Sequence, residues 1–225
     1  MIGTIPPDVE NSFFSDLSPQ QQPHSSPERP PQPLDPVERL VPAGLKLFAL
    51  FVCGLLLYQA ADSASAFPPL PQSLLYRLYY VGIITPLHEG GHFLFMFFGR
   101  TLHILGGSFW QVMIPLILFA AAIRQKSFFT GVWLSLAGAH LVALSSYIMD
   151  APYRTLPLLG GHKSGHDWYN LLIHWQMLND AEAISDFAYD FGLIMGIAGI
   201  VVGIVWAIRQ YLKPPQKTVS ALQAE

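Results

Sequence analysis

From Ser127 to Met149 the chain runs for twenty-three residues without a formal charge. A helix of about 20 mostly apolar residues is what a bilayer demands, because hydrocarbon offers no water to satisfy exposed backbone groups. Comparable apolar segments cover about 43–61, 74–98, 107–123 and 187–208. Overall, 52% of residues are hydrophobic and only 12% charged. That is about half the charge of an average soluble domain and argues against a water-soluble globule. These features predict an all-α, polytopic transmembrane helix bundle of about five spans, with the lipid bilayer as its surroundings. The small net charge of −3 gives no footing for nucleic acid. Cys53 is the single cysteine, so no internal disulfide can form.

Composition divides the chain further. Residues 1–42 hold 10 of the 19 prolines and a Gln20-Gln21-Gln22 run, and they predict a disordered tail. Residues 43–212 form the helical domain, with a polar, histidine-rich loop at 150–186, and 213–225 form a short tail. Tyr76, Tyr79 and Tyr80 open the second segment as an interfacial aromatic group. Residues 168–178 read as a short interfacial helix. Gly192, Gly196, Gly199 and Gly203 make one smooth stripe on the last segment, which lets another helix approach closely. Five crossings would put the termini on opposite sides of the membrane. The distribution of Lys and Arg then leans toward a cytoplasmic C-terminus, in a bacterial plasma membrane.

The second segment contains His88-Glu89-Gly90-Gly91-His92, an H-E-x-x-H pattern. Residues four apart share a helix face, so both imidazoles can reach one Zn2+ ion. Glu89, offset by one residue, can reach a water on that ion and take its proton. Two histidines and a glutamate inside an apolar segment are costly unless they are paired, and such groups usually mark function. A catalytic zinc site has three protein ligands and an open position. Asp167 and His166 are the candidates for the third ligand, with Asp167 favoured over its neighbour. Asp150 and His140 stay open beside them, although the first reads as a helix-end charge and the second as a helix–helix hydrogen-bonding residue. His103, His162, His174 and His24 read as surface or interfacial residues, and Gln111 as a polar contact between helices.

With these residues the chain resembles the site-2 protease-like intramembrane zinc metallopeptidases. The likeness spans about residues 74 to 175 and rests on His88, Glu89 and His92. Gly106-Gly107 and the Leu156-Pro157-Leu158-Leu159-Gly160-Gly161 run also fit the look of that group. Leu159 stands where the group has an aspartate before its glycines, and His166-Asp167-Trp168 follows in its place. The resemblance implies a membrane-embedded zinc endopeptidase that cuts membrane-anchored proteins within or beside their spans, with Glu89 as general base. Two other classes stand beside it. One is a non-catalytic scaffold that keeps a zinc site, and the other is a membrane zinc hydrolase acting on lipid amides.

Overall fold

The computed structural model describes residues 36–65, 73–159 and 161–212. The tail expected to be disordered lies almost wholly outside them, as does the chain after Leu212. Helices α1 (Pro36–Ser65), α4 (Arg100–Arg124), α5 (Phe129–Met149) and α7 (Ala181–Leu212) dominate. Four helical stretches, Leu40–Ser65, Arg100–Arg124, Phe129–Met149 and Leu178–Leu212, are long and apolar enough to cross a membrane. No strand occurs among the described residues. The protein is therefore an all-α helix bundle of the integral membrane type.

The fifth apolar segment is helical but interrupted. It divides into α2 (Leu74–Tyr79), a π turn (Tyr80–Ile84), α3 (Thr85–Phe95) and a 3-10 turn (Met96–Phe98). Pro86 explains the first break. Proline has no backbone N–H and cannot donate to the carbonyl one turn earlier. The chain widens just before it, and the Thr85 N–H reaches back five residues to the Tyr80 carbonyl. At the other end, Gly99 has φ +88, a conformation glycine adopts without penalty. It reverses the chain into α4, so α3 and α4 form an antiparallel hairpin. A Cβ on Gly91 would lie 2.2 Å from the Gly106 carbonyl oxygen, which shows how closely the two backbones touch.

The direction of α1 changes the expected topology. Leu50 packs on Gly203, and Leu57 on Gly196. Lys46 hydrogen-bonds Gln210 and sits 5.9 Å from the Phe128 ring centroid. The start of α1 therefore lies beside the end of α7 and the start of α5. Further along, Leu56, Leu57 and Ala60 join Ala139, Val142 and Ala143 in one core, so α1 runs parallel to α5. Helix α4 runs antiparallel to α5, because Lys126 closes a tight turn between them with φ 48. The described stretch from Ser73 to Gly99 thus begins and ends at the same end of the bundle, where α1 closes and α4 starts. In place of five spanning helices with termini on opposite sides, the described residues form four helices long and apolar enough to cross a membrane and one broken, re-entrant helical segment. Both ends of the described helical domain lie at one end of the bundle.

The glycine stripe on α7 does pack as its spacing predicts. A Cβ on Gly138 would lie 2.3 Å from the Gly196 backbone nitrogen, so α5 and α7 meet backbone to backbone. Between α5 and α7 the chain forms a loop and α6 (Asp167–His174), whose Trp168, Leu171 and Leu172 are buried. This is the amphipathic element expected near 168–178.

Candidate metal centre

Three side chains from two elements far apart in sequence converge. His88 and His92 project from one face of α3, and Asp167 opens α6. Asp167 Oδ2 lies 3.0 Å from His88 Nε2 and 3.1 Å from His92 Nε2. All three ligand atoms fall within 4.8 Å of one another. Side-chain exposures of 12%, 16% and 14% leave the group shielded but reachable. For comparison, ligands about 2.0–2.1 Å from a tetrahedral zinc sit about 3.3 Å apart.

The surrounding hydrogen bonds fix the tautomers. Gln111 Nε2 is 3.2 Å from the His140 carbonyl oxygen, which can only accept, so the amide nitrogen points there. Gln111 Oε1 then faces His88 Nδ1 at 3.1 Å and must accept its proton. His92 Nδ1 donates to the His103 carbonyl at 2.8 Å, and His103 Nδ1 donates to the His92 carbonyl at 2.9 Å. Both ligand-face Nε2 atoms therefore carry lone pairs when the rings are neutral. Two lone pairs and a carboxylate oxygen then meet with no hydrogen between them. Burial pushes the Asp167 carboxyl up, but donation from the His88 and His92 rings outweighs it and brings the group down to about 2. Such donation needs imidazolium, protonated on both nitrogens. A second ring proton, a proton on Asp167 itself or a bound cation would each satisfy this cluster.

Gly107 favours the cation. A Cβ there would lie 2.5 Å from His92 Nε2 and 2.8 Å from His88 Nε2. The absence of a side chain on α4 keeps open the space between the two ligand atoms. Glu89 lines the same cleft, an opening of about 820 Å³. Its other walls come from α1 and the second segment (Ser63, Tyr80) and from the loop Leu156 to Leu159. The Leu156 to Leu159 run thus lies against the bundle, and the chain that follows it delivers Asp167.

The remaining candidates separate clearly. His166, the alternative third ligand, is fully buried and turned away from the cluster. Its Nδ1 accepts the Tyr169 N–H, so Nε2 carries the proton and donates to Asp150 Oδ2 at 3.2 Å. Burial holds this imidazole below its ordinary value despite the adjacent carboxylate, consistent with a neutral ring. Asp150 does close α5, but it does not face water. It is fully buried and also accepts from the Thr155 N–H and hydroxyl and the Leu156 N–H. The reason is local: the chain turns back over Asp150 within six residues. His140 donates from Nδ1 to the Gln111 carbonyl at 2.7 Å, a helix–helix bond as expected.

Three participants went unrecognised in the sequence: His103, Gly107 as a spacer, and Tyr147. Tyr147 OH accepts the Asp167 N–H at 3.0 Å and lies 3.4 Å from Asp167 Oδ2. Its ring stacks on His166, with centroids 4.3 Å apart. A signal for the first two existed. Counting equal steps outward from the turn at 97–98 pairs His92 with His103 and His88 with Gly107. No family model, curated protein or solved structure matches this chain.

Proposed function

We propose that the protein is a membrane-embedded zinc-dependent endopeptidase that cuts membrane-anchored proteins within or near their spans. The observation that carries this reading is the convergence of two tautomerically fixed Nε2 lone pairs and the Asp167 carboxylate on a space kept open by Gly107. His88, His92 and Asp167 would hold the zinc beside the cleft. Zinc there supplies Lewis acidity to a scissile carbonyl and an activated water. Glu89, on the cleft wall, takes the water proton and returns it to the leaving amine. Gln111 and His103 orient the ligand rings, and Tyr147 orients the carboxylate. The resemblance of His88, Glu89 and His92 to the intramembrane metallopeptidase motif supports the same reaction.

The test begins with metal content. Purified protein should carry about one zinc per chain, and His88→Ala and His92→Ala should each lose most of it, since two ligands hold zinc poorly. Equal zinc in wild type and both variants would rule out this site as the one that binds it.

A subtler variant tests the shell around the ligands. Tyr147→Phe removes only the hydroxyl and keeps the ring stacked on His166. Zinc affinity, measured by competition with a chelator, should fall roughly 10–100-fold, the usual effect of losing such a partner. Unchanged affinity would leave Tyr147 as a packing residue.

A further inference from the structure

We infer that the metal cleft opens on the non-cytoplasmic face of the membrane, so that the enzyme cuts its substrates in their non-cytoplasmic half. The inference deepens the peptidase reading and rests on it for the word substrate, but the sidedness itself rests on the fold.

The bundle has two chemically different ends. One holds the start of α1, the α4–α5 turn and the end of α7. Arg39, Lys46, Arg124, Lys126 and Arg209 lie there, and Lys213 and Lys217 follow in the sequence. The other end holds the close of α1, the start of α4 and the loop after α5. Its basic residues are Arg77, Arg100, Arg154 and Lys163. Arg154 is partly sequestered, its guanidinium lying 4.0 Å from the Tyr169 ring centroid. Lys and Arg close to helix ends are retained in the cytoplasm during insertion. Were α1 antiparallel to α5, Arg39 and Lys46 would stand against the C-terminal cluster and the bias would nearly cancel. With α1 parallel to α5 they join it, and the basic end becomes the cytoplasmic one.

The cleft belongs to the opposite end. Its lining includes Ser63 near the close of α1, Ser146 near the close of α5, and Leu156 to Leu159 and His162 of the loop. A membrane-anchored protein would therefore meet Glu89 and the ligands from the non-cytoplasmic leaflet. Hydrolysis of one amide there consumes one water and gives two chains: a non-cytoplasmic part, freed from most of its anchor, and a cytoplasmic part that retains most of its span. Metal would also be loaded from that side.

Single cysteines test the sidedness directly. Cys53 is buried and provides a quiet background. Ser164→Cys places a thiol in the exposed loop, and Gln125→Cys places one in the exposed α4–α5 turn. In intact cells carrying the full chain in the plasma membrane, a membrane-impermeant maleimide should label the Ser164→Cys protein. It should label the Gln125→Cys protein only after permeabilisation. The reverse pattern would overturn the inference, and labelling of both in intact cells would overturn the four-crossing arrangement and the inference with it. A reporter that folds only in the cytoplasm, fused after Glu225, keeps the matter decidable if either variant fails to accumulate. Activity is expected, and silence would refute it. These outcomes are independent of metal content, which alone decides the zinc reading.

Discussion

The Glu89→Gln protein should retain zinc at nearly the wild-type level and lose cleavage of a co-expressed membrane substrate by roughly 10²–10⁴-fold, the usual worth of a positioned general base. Glutamine keeps the shape and hydrogen bonding of glutamate but cannot accept the proton of a metal-bound water. Glu89 is exposed on the cleft wall and lies outside the His88, His92 and Asp167 cluster, so its change leaves the three ligands in place. Asp167→Ala should differ by lowering zinc and activity together. Normal cleavage by the Glu89→Gln protein would end the hydrolase reading and turn attention to a scaffold that merely binds metal. Loss of zinc in that variant would instead make Glu89 a ligand and require a different base.

Gly107→Ala should be as damaging as loss of a ligand, although it adds one methyl group. The new Cβ would lie 2.5, 2.7 and 2.8 Å from His92 Nε2, His92 Cε1 and His88 Nε2. Relief requires the rings to swing away or α4 to retreat. The second route is closed by the backbone contact of Gly91 with Gly106. Zinc content should therefore fall to the level of His92→Ala, with an overpacking cost of about 1–3 kcal/mol seen in thermal unfolding. Gly90→Ala is the control, since a Cβ there meets nothing within 4 Å. It should bind zinc normally. Full zinc in the Gly107→Ala protein would show that Gly107 does not guard the ion's position.

How much of this was readable in advance follows from the range of each interaction. His88 and His92 were legible because helical spacing alone puts them on one face. Asp167 lies 79 residues from His88, and it was the polar loop and the resemblance, whose group takes its third ligand from a later aspartate, that pointed to it. Asp150 misled because a carboxylate at a helix end ordinarily faces water; its own following residues bury it. The apolar segments announced the helices, but the sense in which each crosses is set by contacts such as Leu50 on Gly203. Hydropathy carries no record of that pairing. The broken segment at 74–98 looked like a crossing by length alone, and Pro86 hinted at the interruption without revealing the re-entry.

The Asp150 carboxylate pins both feet of the loop that walls the cleft: Thr155 and Leu156 at its beginning and His166 at its close. The stretch between those feet is thereby decoupled from the residue that follows it. Loop closure costs little more as a loop lengthens, roughly 0.6 kcal/mol per doubling. Changes of length or side chain between Leu156 and His166 can therefore reshape the wall facing a bound segment without displacing Asp167. The fold separates an interchangeable rim from a fixed centre, and new preferences can be acquired there without rebuilding the chemistry.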